Sequence, residues 1–108
     1  MRDLEMVIAY VRQTRRAAVG HALRQLDQAG WSESQVVGHG SAAAGQGVEH
    51  VRFEVLTSAA MADVVSAAIV QAAHTGERGD GLVFTCPVRT SERIEATPIE
   101  NAVAQLAS

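Results

Sequence analysis

The feature that most constrains this 108-residue chain is a change of period at Ser58. Residues 50–57 read HVRFEVLT and alternate: Val51, Phe53 and Val55 fall on one side, His50, Arg52 and Glu54 on the other. A two-residue period is that of a strand with one buried and one polar face. Beyond Ser58 the apolar spacing lengthens, and Met61, Val64, Val65, Ala68, Ile69 and Ala72 share one face of a helix. Ser58 is itself a residue type that caps a helix start, because its hydroxyl accepts a bond from a free amide of the first turn.

The same two periods recur along the chain. Residues 4–11 (LEMVIAYV) are apolar and partly β-branched, which predicts a buried strand. Thr14 precedes RRAAVGHALRQLDQAG, in which Val19, Ala22, Leu23 and Leu26 fall at helical spacing and Gly30 offers a C-terminal stop. Residues 34–37 (SQVV) predict a short second strand, and residues 38–47 (GHGSAAAGQG) an exposed loop. Residues 82–88 (LVFTCPV) predict the last core strand, with Pro87 marking an edge or a bulge near its end. In residues 97–107 (TPIENAVAQLA), Thr97 and Glu100 form a capping box and Pro98 takes the first helical position. Ile99, Val103 and Leu106 share a face, so a short amphipathic C-terminal helix is expected there.

The order is β-α-β-β-α-β followed by a helix. It predicts an α+β, ferredoxin-like fold: a four-stranded antiparallel sheet with two helices on one face. The expectation is one domain over 1–108, its core at about 3–95 and the added helix at about 97–107. A sheet this apolar needs cover on its second face, so a homo-oligomer is expected.

Composition narrows the function. Apolar residues are 47% and charged residues 19%, a globular balance. Aromatics are only 4%, so Ala, Val, Leu and Ile must fill the core. The net charge is −3 with no basic stripe, which argues against nucleic-acid binding. The one basic cluster, Arg12 with Arg15 and Arg16, reads as the solvated start of a helix. Cys86 is the only cysteine, so no internal disulfide forms and a reducing compartment is expected. The opening MRDLEMVIAYV has too short an apolar run for a signal peptide, and no segment is long enough to span a bilayer. A cytoplasmic protein without membrane insertion is the expectation.

Residues 74–81, HTGERGDG, place three glycines between a helix and a strand. Glycines let successive amides point into one concavity, and such a nest attracts anions. Arg78 and Arg93 would add charge-assisted bonds to phosphate oxygens. Taken alone, the glycines fit a plain surface loop equally well. The string Thr75-Gly76-Glu77-Arg78-Gly79-Asp80-Gly81, however, resembles the phosphate-binding B-loop of the PII signal-transduction proteins, and it lies between the second helix and the last strand as theirs does. Gly38-His39-Gly40 after the second strand, and Arg93 beyond the last, also fall where that family has counterparts. The resemblance spans about residues 3–95.

It implies a homotrimer that binds adenine nucleotides in clefts between subunits. A long loop after the second strand, the T-loop, carries the output to a transporter, enzyme or regulator. The implied nucleotide-binding residues are Thr75, Gly76, Glu77, Arg78, Gly79, Asp80, Gly81, Arg93, Gly38 and Gly40, with Ser32 near the adenine. Three departures shape the expectation. Leu82 stands where the family usually has a lysine after the B-loop, and Glu95 where a second arginine often lies. The T-loop is cut to SAAAGQGVE, without a tyrosine, and Ala42 replaces the usual glutamine. AMP or ADP is therefore expected in preference to ATP, without uridylylation or the usual 2-oxoglutarate sensing. The third strand resembles divergent PII-like proteins found with bicarbonate transporters and carboxysome genes, which points to a regulator of a transport or inorganic-carbon system. Other divergent members are associated with metal efflux.

The alternative is a trimeric adaptor, or a metal-linked PII-like protein, that has lost nucleotide sensing. The metal version would use His39, His50 and a carboxylate such as Glu49. Two exposed histidines at strand ends explain the pair more simply, and no metal is expected. Catalysis has little support, since Ser41 near His39 lacks an orienting acid and no nucleophile elbow is present; the protein is expected not to be an enzyme. Trp31 is expected either to anchor a strand start or to make a subunit contact, with a partner for its N–H.

Overall fold

In the computed structural model, which describes residues 3–28, 30–40 and 47–96, the central position of the sheet is shared by its two longest strands. These are β1 (Leu4–Arg12) and β3 (Val48–Ser58). They are flanked by β2 (Ser32–Gly38) and β4 (Gly81–Val88), in the order β2-β3-β1-β4 with every neighbour antiparallel. Helix α1 (Arg16–Gln25), entered through a 3₁₀ turn at Gln13–Arg15, and helix α2 (Ala59–Ala73) provide the second layer. This is the ferredoxin-like α+β arrangement. The expected C-terminal helix at 97–107 and residues 41–46 lie outside the described residues.

The core sits between one face of the sheet and the helices. Val7, Ala9 and Val11 of β1 and Val51, Phe53 and Val55 of β3 alternate inward against Val19, Leu23, Val65 and Ile69. Phe53 has no exposed surface, and its burial contributes about 3 kcal/mol. β4 is an edge strand, so Pro87 deprives the sheet of no interior pairing.

Ser58 caps α2 as expected: its hydroxyl accepts the Met61 amide at 3.2 Å. The buried face of α2 differs from the expected one. Ala62, Val65, Ile69 and Ala73 are buried, whereas Val64 is 46% exposed. The helix is apolar almost all round, so spacing alone leaves its rotation open. Small residues at 62 and 73 let it approach the sheet closely.

Helix α1 ends before Gly30. Asp27 takes φ 61, the Gln28 amide donates to the Leu23 carbonyl at 3.0 Å, and the Asp27 amide to Arg24 at 3.1 Å. This is a Schellman stop with an aspartate in the left-handed position that glycine usually takes. The basic cluster is likewise no solvated helix start. Arg15 donates to the Ala72 carbonyl near the end of α2 at 2.6 and 3.0 Å, and Arg16 pairs with Glu33 of β2. Trp31 donates its indole N–H to Glu33 at 2.8 Å and lies under the Arg24 guanidinium.

The other sheet face carries Met6, Ile8 and Tyr10 of β1, Leu56 of β3, and Leu82, Phe84 and Cys86 of β4, in register with one another. Tyr10 stacks on Phe84 with ring centroids 6.4 Å apart. Leu56, Leu82 and Phe84 remain 44%, 56% and 42% exposed.

Candidate functional site

Four strand ends meet at one edge of the sheet: β1 and β2 finish there, and β3 and β4 begin there. The 74–80 loop joins α2 to β4 at this edge. Gly76, Gly79 and Gly81 adopt φ of 88, 94 and 110°. At Gly81 the need for glycine is also steric. It pairs with Val11 across the sheet, and a Cβ would lie 1.7 Å from the Tyr10 carbonyl oxygen.

The loop is closed by its own aspartate. The Asp80 carboxylate accepts the Thr75 hydroxyl, the Thr75 amide at 2.8 Å and the Gly76 amide at 3.0 Å. Arg12 pairs with the same carboxylate at 2.9 Å and donates to the Arg78 carbonyl at 2.7 Å. The Thr75 bonds first, then Arg12, hold the Asp80 carboxyl well below the usual carboxylate range. The Glu77 amide donates to the Thr75 hydroxyl oxygen at 3.3 Å, which completes a compact turn.

Beside this turn lies an open cleft of about 370 Å³. Arg78, Gly79, Gly81 and Leu82 line one wall, Gly38, His39 and Gly40 another, and Tyr10, Arg12, Val48 and His50 lie between them. His50 faces two carbonyls, Val48 at 3.0 Å from Nδ1 and Gly79 at 3.2 Å from Nε2. Among the described residues no three His, Cys, Asp or Glu side chains converge on a point that could hold a metal.

A family model described as nitrogen regulatory protein P-II matches residues 4–97. The chain belongs to the P-II family. It is 31% identical over 102 residues to the nitrogen regulatory protein GlnK2 of Haloferax mediterranei, covering 84% of this chain and 83% of that one. Its fold is similar to the crystal structure of Arabidopsis thaliana PII bound to citrate, with a TM-score of 0.78 and 29% identity over 88% of this chain and 86% of that chain. The chain is thus a PII-type regulator, and the resemblance read from TGERGDG is that of its family. No helix among the described residues is long and apolar enough to cross a membrane.

Within this PII frame the residues singled out from sequence separate into three groups. Arg78, Gly79 and Gly81 meet Gly38 and Gly40 around the cleft. Thr75, Gly76, Glu77 and Asp80 bond to one another and shape the loop. Ser32 and Arg93 are not in the cleft lining. Ser32 opens β2, at the opposite end of that strand from Gly38, and Arg93 donates to Glu95 at 2.6 Å. The bond from its own backbone, then the one from Arg93, lowers the Glu95 carboxyl from its ordinary range.

Sequence reasoning missed Arg12, Tyr10, Val48 and His50 as residues of this site. Arg12 carried a signal: it is the charged residue that ends the apolar run of residues 6–11. His50 carried one too, since it opens the alternating stretch opposite Arg12.

Proposed function

We propose that this PII-family chain binds an adenine nucleotide, AMP or ADP in preference to ATP, and reports occupancy to a regulated partner as a homotrimer. The observation that carries this reading is the single cleft in which Arg78, Gly79 and Gly81 meet Gly38 and Gly40. It sets an anion-attracting glycine loop beside the segment that leads into residues 41–46. Ligand there biases which arrangement of that segment a partner meets, which is a population shift. A transport system, bicarbonate transport among them, is the proposed partner class, and the cytoplasm the proposed compartment.

Two features support a short phosphate chain. Leu82 lines the cleft, where a lysine would neutralise further phosphate charge. Glu95 engages Arg93, so this arginine brings less net charge to a polyphosphate. Ser32 and Arg93 fit the reading as contributions from a neighbouring subunit, which completes the site in the trimer. Calorimetric titration with AMP, ADP, ATP and cyclic-di-AMP tests it. Heat from AMP or ADP, with ATP at least about tenfold weaker, is expected. No heat from any of the four while the trimer persists moves the assignment to a trimeric adaptor that has lost nucleotide sensing.

A further inference from the structure

His50 is held between two acceptors. Its Nδ1 faces the Val48 carbonyl at 3.0 Å, and its Nε2 the Gly79 carbonyl at 3.2 Å. A carbonyl only accepts, and a neutral imidazole carries one N–H, so the two bonds form together only when the ring bears both protons. The two carbonyls belong to segments far apart in sequence, the start of β3 and the middle of the B-loop. Gly38 leaves room for the ring, because a Cβ there would stand 3.2 Å from Nδ1. Arg12, opposite His50 in the β1–β3 register, takes the preceding loop carbonyl, that of Arg78. Two side chains from adjacent strands thus hold two consecutive carbonyls of the loop.

We propose that His50 is a positioning residue that ties the B-loop to the start of β3 through both ring nitrogens when it is cationic. Its effect on ligand affinity rests on the proposed nucleotide site; the tie itself does not. The direction follows from the donors. Lowering the pH supplies the second N–H and tightens the tie, and raising it removes one bond and frees the Gly79 carbonyl or the Val48 carbonyl. The charged and titratable groups around the ring are Arg12 and Tyr10 from β1, His39 beyond β2, Arg78 and Asp80 from the loop, and Glu49 and Arg52 on β3 itself. Arg12 is paired with Asp80, and His39 is the other imidazole on the cleft lining.

The test uses the ligand-free full chain between about pH 5.5 and 8.5, the range in which imidazoles titrate. Nitrogen-15 NMR of the rings reads the protons on His50, and amide exchange of Gly79 and Asp80, corrected for intrinsic rates, reads the loop. Expected is a doubly protonated His50 at the acid end, with loop exchange rising about tenfold as the ring loses a proton. His50→Gln should flatten that profile, and His39→Asn should leave it in place. With ADP as probe, the ratio of Kd for His50→Gln to wild type cancels the titration of ADP itself. This ratio should be about tenfold at the acid end and fall toward unity at the basic end. A His50 ring with one proton throughout, a pH profile that survives His50→Gln, or one abolished by His39→Asn would overturn the proposal. If wild type shows the exchange profile but ADP does not bind, the nucleotide reading fails and the tie stands.

Discussion

At the scale of single residues, the B-loop divides its work between glycines that permit a shape and polar groups that hold it. Gly81 shows the first most clearly. Its φ of 110° and the 1.7 Å approach of a Cβ to the Tyr10 oxygen leave no room for any side chain. Gly81→Ala should therefore part β4 from β1 at its first pairing and lower stability by about 2–4 kcal/mol. Urea unfolding followed by circular dichroism checks this; an unchanged midpoint would show that the loop relaxes without cost. Asp80 shows the second. The need for glycine is legible in the sequence, whereas the aspartate within the same string reads there as a ligand contact. In the structure it takes the Thr75 and Gly76 amides for itself. Three of the bonds that turn this carboxylate inward come from Thr75 and Gly76, within five positions, and a further one comes from Arg12, 68 positions away, which no local stretch announces.

At the scale of elements, local signals succeeded where a short-range bond decides the outcome. Ser58 closes β3 and caps α2 through the Met61 amide. Ser58→Ala removes that acceptor, and the expected loss is about 1 kcal/mol, read as a lower denaturation midpoint with an unchanged slope. Strand identities were legible for the same reason, although β2 runs from Ser32 to Gly38 rather than only 34–37. The added Ser32 and Glu33 are polar and exposed, and they are strand because β3 supplies partners in register. The rotation of α2 and the end of α1 were not legible. An almost wholly apolar helix has no spacing that selects one face. A left-handed aspartate at 27 stops α1 three residues before the glycine that sequence favoured.

For the whole molecule, the sheet face opposite the two helices is the dominant fact. Met6, Tyr10, Leu56, Leu82, Phe84 and Cys86 share it with the Arg52–Glu54 pair, and no helix among the described residues covers it. A contiguous apolar face of this kind is stable in water when another surface covers it. Phe84→Arg places a charge on this face, beside Tyr10. Sedimentation equilibrium should give a three-chain mass for the wild type and a one-chain mass for this variant, which keeps its helical circular dichroism. A wild-type monomer at micromolar concentration would remove the trimer from the proposed function.

By itself the sequence determined the order of elements from β1 to β4, the capped start of α2 and the glycine string that marks the PII family. All three rest on interactions within a few residues, or on a backbone conformation that one residue type alone adopts. Tertiary structure decided which parts of TGERGDG face the cleft and which face each other. It also decided that Arg12 and His50 belong to the site, and that Ser32 and Arg93 lie away from its cleft. Those outcomes depend on strand register, which brings position 12 opposite position 50 and position 11 opposite position 81. Register is set by how the whole sheet packs its inward face, so no local stretch of the chain encodes it.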